Sequence, residues 1–278
     1  MEQFTLNGPS FDKIFSHLTY KSIPKSWEQP FLFKGLSNSL QQEMDGPCGL
    51  MASIQSRMLI LSSQNPNMSP KHQLIEALLD IQFKIRKTFI FCINFDTFNK
   101  NAVFKGTSDR RVAGSFLWDS NWHQSPNAIL LFVISIIVLL GPTWFSIYAL
   151  QDTFITEDGK TNLTLLLLLL TGQPLDSFQD GNKVMGGILI KGITSYPEIG
   201  FLSIAEGEDI QKPGNFLKRP QYPIWIAYYG GHFTVIQYAR NGLFEYNALD
   251  KTQLWVPLSS KNPFYDKINE LVKQYYIK

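Results

Sequence analysis

The sequence predicts an α+β fold, and three observations carry that expectation. Apolar residues recur at helical spacing through much of the first half of the chain. The second half changes to short alternating or apolar runs separated by Gly and Pro. With 278 residues, 44% of them hydrophobic and only 17% charged, the chain carries enough apolar material for one large core-rich domain, taken as residues 1–278.

Residues 1–35 hold scattered aromatics, Phe11, Phe15, Trp27, Phe31 and Phe33, a pattern expected of a segment that wraps the edge of a domain. Leu50, Ile54, Met58 and Leu61 then mark a helix that opens at Gly46-Pro47-Cys48-Gly49. A linker over 62–69 ends in Ser69-Pro70, an N-cap followed by proline at the first helical position. Leu74, Leu78, Ile81 and Ile85 supply the buried stripe of the helix it starts. Residues 88–95 are β-branched and aromatic and read as a strand that packs Cys92. The polar, glycine-containing stretch 99–118 shows no periodicity, and no element is assigned to it.

The run Ala128–Leu140 has no charge. As a helix its 13 residues span about 20 Å, against the ~30 Å of a bilayer core, and Gly141-Pro142 interrupts any extension through 143–150. A buried central helix is therefore expected rather than a membrane span. Residues 162–170 form a leucine-rich helix closed by Gly172 at the C′ position. Strands are expected over 185–193, 199–204, 223–229, 232–238, 243–248 and 254–258, arranged as an antiparallel sheet. Ala239-Arg240-Asn241-Gly242 is the hairpin signal between two of them. A last helix begins at Asn262-Pro263 and aligns Phe264, Ile268, Leu271 and Tyr275.

The net charge of +2 and the lack of a Lys/Arg cluster argue against a nucleic-acid partner. Two cysteines, Cys48 and Cys92, do not make a disulfide scaffold, and the N-terminus shows no apolar signal region, so a cytoplasmic or nuclear monomer is expected. Neither paired Cys/His ligand spacing nor a glycine-rich phosphate loop is present, and no metal or cofactor is expected.

The segment that carries chemistry is Gln41-Gln42-Glu43-Met44-Asp45-Gly46-Pro47-Cys48-Gly49. It sets Cys48 in the first turn of a helix, where unpaired N–H groups favour a thiolate, the nucleophilic form of cysteine. Gln42 lies six residues upstream, where its amide can point back at an oxyanion beside the sulfur. A cysteine nucleophile needs a base. Of the four histidines, His17, His72 and His123 sit in unsupporting contexts, whereas His232 starts an apolar strand directly after Gly230-Gly231. A cysteine on an early helix and a histidine on a later sheet is the arrangement of papain-like hydrolases. Asn247 or Asp250, on the strand after the hairpin, is the candidate to orient the ring, with Asn247 preferred.

Several blocks then resemble the MINDY deubiquitinases, specifically the branch with a Gly-Pro-Cys-Gly nucleophile motif. Residues 27–33 are similar to its Trp-x-x-Gln-Gly-Phe-x-Phe segment, with Pro30 in place of the glycine. Residues 42–55 match Gln-x-x-x-Gly-Pro-Cys-Gly-x-x-Ala-x-x-Gln, including Ala52 and Gln55. Residues 162–181 resemble its Asn-Leu-Leu-Leu-Thr-Gly block, and Gly200 through Glu206 its next. Gly214-x-x-Leu217-Lys218-x-Pro220-x-x-Pro223-Ile224-Trp225-Ile226 then runs into His232-Phe233-Thr234-Val235. The resemblance implies Cys48 as nucleophile, His232 as base and Gln42 as oxyanion donor. It also implies an isopeptidase for polyubiquitin with a preference for lysine-48-linked chains. A ubiquitin-binding module that keeps the fold without turnover is the alternative. Gly230-Gly231 stand where the family tends to have an acidic residue and serine.

Overall fold

The structure, a computed structural model, describes residues 1–33, 39–141, 153–203, 212–229, 231–239, 242–250 and 255–277, with only the backbone of Trp255. It opens with β1 (Glu2–Asn7) and α1 (Pro9–Leu18), whose Phe11, Ile14 and Leu18 face inward at helical spacing. A turn of 3-10 helix (Lys25–Trp27) buries Trp27, and its indole N–H donates to Gly159 O at 2.7 Å. The short strands β2 (Leu32–Phe33) and β3 (Leu40–Gln41) pair with each other. Then come α2 (Cys48–Gln64) and α3 (Pro70–Ile85), the latter capped by the Ser69 side chain as its sequence predicts.

β4 (Phe89–Asp96) and β5 (Asn101–Thr107) form a hairpin, and β1 adds to the free edge of β5, giving a three-stranded antiparallel sheet. The first half is therefore not purely helical. Ala102 and Phe104 are the inward residues of β5. With one of them an alanine, and with Lys105 and Gly106 following, the alternation is too faint to read from sequence. The same unassigned stretch also contains α4 (Arg110–Asp119), started by the Asp109 carboxylate, which accepts from the N–H groups of Arg111 and Val112.

α5 (Ala128–Leu140) is the buried central helix the sequence predicts, and it lies against β4. Its one polar residue has a structural task. β4 carries a bulge between Cys92 and Asn94, and the Cys92 N–H donates to Ser135 Oγ at 2.8 Å. Ser135 Oγ–H in turn donates to Leu131 O, and the Trp122 indole donates to Cys92 O at 2.8 Å. Among the described residues no helix is long and apolar enough to cross a membrane. The extension through 143–150 lies outside the described residues.

α6 (Leu163–Thr171) is capped by Asn162 and ends at Gly172, which adopts the left-handed conformation at φ 73°. The stretch 185–193, expected as one strand, is a hairpin of β6 (Lys183–Met185) and β7 (Ile188–Ile190). It turns at Gly186 and Gly187, both at positive φ. β8 (Gly200–Ser203), the short α7 (Asn215–Lys218), β9 (Ile224–Tyr229), β10 (His232–Ala239), β11 (Gly242–Tyr246) and β12 (Trp255–Pro257) follow. These five strands form one sheet ordered β12-β11-β10-β9-β8. Its four later strands are antiparallel neighbours, but β8 runs parallel to β9, which corrects the purely antiparallel expectation. The connection carrying α7 crosses over between them, as a parallel pair requires.

The final helix, α8 (Tyr265–Tyr275), follows Asn262, whose side chain accepts from the Phe264 N–H. Its buried line is Phe264, Ile268 and Val272 rather than the expected Leu271 and Tyr275. Tyr275 instead faces outward under the Arg219 guanidinium, 4.4 Å from the ring centroid.

α2 organises the molecule. Leu50, Met51, Ile54 and Met58 pack into the core formed with α1, α3, α5 and the first sheet. Cys48, Ala52 and Ile60 pack into a second core formed with α6, β8, β9 and β10. From Cys48 to Met58 the helix is buried at every position, so the stripe read from sequence is one face of a fully enclosed element.

Candidate active site

The N-terminus of α2 is shaped by two glycines that each have a physical reason. Gly46 sits at φ +137°, and a Cβ there would meet Ser26 Oγ at 2.5 Å and Gly159 O at 2.8 Å. Gly49 allows close approach of the second core, since a Cβ there would lie 2.9 Å from Thr161 Cβ and 3.2 Å from Phe233 Cδ2. Pro47 takes the N-cap position and Cys48 the first helical position. The Cys48 side chain is buried, with the residue 1% exposed, and Sγ lies 3.9 Å from Gly46 O.

His232 is the first residue of β10, paired across from Tyr229 at the end of β9. Its Nε2 lies 2.9 Å from Asn247 Oδ1. The same oxygen accepts the Leu249 N–H at 3.0 Å, which fixes it as the amide oxygen and makes His232 Nε2 the donor. In the neutral ring the lone pair then resides on Nδ1, a buried atom with no hydrogen-bond partner. Asn247, the preferred candidate, is thus in contact with the ring. The Asp250 backbone N–H donates to Asn247 O at 3.2 Å and closes the turn that holds the amide in place.

One donor atom from each of Asp45, Cys48 and His232 lies within 4.8 Å of the others. The two residues predicted to share the chemistry, 184 positions apart in the chain, are therefore brought together, and an exposed carboxylate joins them.

The electrostatics of the thiol differ from the sequence expectation. Burial pushes the Cys48 thiol up to about 11. The backbone N–H of Phe233 and those of the helix start, Gly49 and Cys48, act in the opposite direction, while the Asp45 carboxylate adds to the rise. The helix N-terminus does favour the thiolate as expected. It is outweighed because the sulfur is out of water and next to an anion, so the resting thiol is protonated at neutral pH.

Gln42, fully buried, directly follows β3. Its Nε2 donates one proton to Met44 O at 2.7 Å, which leaves the second amide proton for another acceptor, and its Oε1 has no partner. The backbone around it is latched to the distant sheet: the Gln42 N–H donates to Ala248 O at 2.9 Å, and the Tyr246 hydroxyl donates to Leu40 O. On the other side, Gln29 Oε1 accepts the Glu43 N–H at 2.9 Å.

Two neighbours of the site were missed by sequence reasoning. Thr161 braces the helix start from far along the chain. Its Oγ1 accepts the Leu50 N–H at 3.3 Å, and its own N–H donates to Gly46 O at 3.1 Å. No local pattern marks such a residue. Asp45 was visible as an acid three residues before the cysteine, but its approach to His232 depends on the fold.

Residues 118–255 match the family described as deubiquitinating enzyme MINDY-3/4, conserved domain, a range that includes His232 and Asn247 but not Gln42 or Cys48. The chain is 39% identical over 273 residues to ubiquitin carboxyl-terminal hydrolase MINDY-3 of Xenopus tropicalis, covering 77% of this chain and 60% of the relative. It is 39% identical over 241 residues to the probable ubiquitin carboxyl-terminal hydrolase MINDY-4 of Bos taurus, covering 72% of this chain and 31% of that protein. Against MINDY-3 of Homo sapiens the identity is 36% over 77 residues, 28% of this chain and 17% of the relative. The chain thus spans less than two thirds of the length of these curated relatives. No solved structure matches.

Proposed function

Because the chain belongs to the MINDY family of deubiquitinating enzymes, we propose that it is a cysteine-dependent isopeptidase that hydrolyses polyubiquitin, with residues 1–278 acting as one papain-like catalytic domain. The observation that carries this reading is the convergence of Cys48 with a His232 ring that Asn247 holds in one tautomer. Substrate binding has to uncover the sulfur. The thiol proton then passes to His232 Nδ1, and the thiolate attacks the carbonyl of ubiquitin's C-terminal glycine. The second amide proton of Gln42 stabilises the oxyanion. As the C–N bond breaks, His232 returns the proton to the departing lysine amine. Water, deprotonated by the same ring, then hydrolyses the thioester and regenerates the thiol.

Lysine-48-linked chains are the proposed substrate, on the strength of the motif resemblance. A monomer in the cytosol or nucleus is proposed as its setting. Two unpaired cysteines support a reducing compartment, and the near-balanced charge supports a protein rather than a nucleic-acid partner. A second reading, a ubiquitin-binding module without turnover, is favoured by the burial and raised pKa of the Cys48 thiol.

The deciding experiment is reaction with ubiquitin carrying a C-terminal electrophile, followed by hydrolysis of a panel of chain linkages. Adduct formation that disappears in Cys48→Ala, with lysine-48-linked chains cut fastest, is the expected result. Chain binding that survives Cys48→Ala, with no adduct on the wild type, would establish the binding module instead. An adduct that persists in Cys48→Ala would move the nucleophile to Cys92.

A further inference from the structure

The carboxylate of Asp45 has no part in the hydrolysis proposed above, yet it completes a set of three different donors around one point. We propose that Asp45, Cys48 and His232 form a binding site for a thiophilic divalent cation of the zinc class, and that occupancy reversibly silences the nucleophile. The silencing rests on the isopeptidase reading; the cation site itself does not.

Four features support the site. The donors are a sulfur, an imidazole nitrogen and a carboxylate oxygen, each within 4.8 Å of the others. Ligands around a tetrahedral zinc, with bonds of about 2.0–2.3 Å, stand about 3.3–3.8 Å apart, so rotations of side chains suffice to close the set. The nitrogen is already prepared. His232 Nε2 is anchored by Asn247 Oδ1 at 2.9 Å, which leaves Nδ1 as the lone-pair donor, and that atom has no hydrogen-bond partner. The carboxylate is also steadied, since Asp45 Oδ1 accepts the Gly46 N–H at 2.9 Å. Finally, Cys48 is buried, His232 is half-buried and Asp45 is exposed, so the cluster borders solvent through Asp45, the side from which a water would enter as fourth ligand.

The donor set also selects the metal. Calcium and magnesium require six or more oxygens, and this cluster offers one carboxylate, whereas a thiolate and an imidazole suit zinc. On binding, the Cys48 S–H bond breaks, its proton leaves to solvent and a sulfur–zinc bond forms, with no change of oxidation state. The cation then occupies both the sulfur that would attack and the His232 nitrogen that would take its proton. Removal by a chelator and reprotonation of the sulfur restores the starting state.

The test is titration of the full chain with Zn²⁺ against a chromophoric chelator, repeated with Co²⁺ to read the thiolate-to-cobalt charge-transfer band. One Zn²⁺ per chain and a cobalt band that Cys48→Ser abolishes are expected. Loss of even an outer-shell partner weakens metal sites about 10- to 100-fold, so Asp45→Asn and His232→Gln are each expected to weaken Zn²⁺ binding at least about tenfold. Asp45 is exposed, so its variant is expected to melt at the wild-type temperature, which separates ligand loss from unfolding. Wild-type protein that binds no Zn²⁺, or an Asp45→Asn variant that binds it as tightly as wild type, would overturn the proposal. Where ubiquitin hydrolysis is observed, Zn²⁺ is expected to stop it, a chelator to restore it, and Asp45→Asn to blunt the effect at least about tenfold. Where no hydrolysis is observed, the isopeptidase reading fails while the binding arm still decides the site.

Discussion

At the Cys48 sulfur, loss of water and the Asp45 anion oppose the N–H groups of Phe233, Gly49 and Cys48, and loss of water prevails. The sign of each contribution yields a prediction. Asp45→Asn removes an anion, so the thiol titrates lower and alkylation by iodoacetamide at neutral pH becomes faster, with the whole rate–pH curve displaced downward. Folding stability follows the same linkage. The folded thiol holds its proton up to about 11, above its ordinary value of 9.0, so stability is fully present below pH 9 and declines as pH rises towards 11. Denaturant titrations of wild type and Cys48→Ala across that interval should show the wild type losing more. Asn247 touches the His232 ring, so on the proposed isopeptidase reading Asn247→Ala is expected to lower kcat/KM by about 10–100-fold, short of the full contribution of a general base. Asn247→Asp should retain more of the activity because it still accepts from Nε2. The placement of Cys48 at a helix start and of His232 at a strand start was legible because local context marks both: a Gly-Pro turn before the one and an apolar run after the other. Choosing Asn247 over Asp250 required the register and turn of the strand pair, which the sequence leaves open.

The elements around the site are joined by charges that local patterns do not reveal. Arg57 on α2 is only 3% exposed and donates to the Glu198 carboxylate at 2.8 Å, and Lys84 on α3 reaches the same carboxylate. Glu198, just before β8, thereby ties two helices to the second sheet. Glu198→Gln would remove the charge that Arg57 donates to, with Asp80 left to act on it from a distance, and the expected loss is about 1.5–3 kcal/mol, read as a lower denaturant midpoint. Helices were the more legible elements. Ser69 and Asn162 each accept a backbone N–H at the start of their helix, whereas Asn262 accepts from Phe264, the residue before α8 begins. β1 and β5 were not legible, because their inward residues are few and their stability comes from pairing, β1 with β5 and β5 with β4, and from packing on α1 and α4 rather than from composition. The parallel β8–β9 pair was missed for the complementary reason: strand direction is a property of the connection, not of the strand.

For the molecule as a whole, α2 belongs to two of the three cores, so neither of those two is expected to unfold alone. Ile54→Ala should lower a single cooperative transition by about 2–5 kcal/mol, whereas two separated transitions in calorimetry would show independent units. The α+β class was legible from the change of periodicity along the chain, but the role of α2 as a shared wedge was not, since burial on every face depends on what surrounds a helix. The latch between Gln42 and Ala248, with Tyr246 closing on Leu40, has a consequence in time. During translation the cysteine leaves the ribosome 184 residues ahead of the histidine, a lag of about 10–40 s at ordinary elongation rates. Throughout that interval the nascent chain displays a thiol with neither its base nor the strand that holds its loop. On the isopeptidase reading, competence arrives only when the last sheet forms, so a product truncated before His232 is expected to carry an ordinary reactive thiol and to cut no chains.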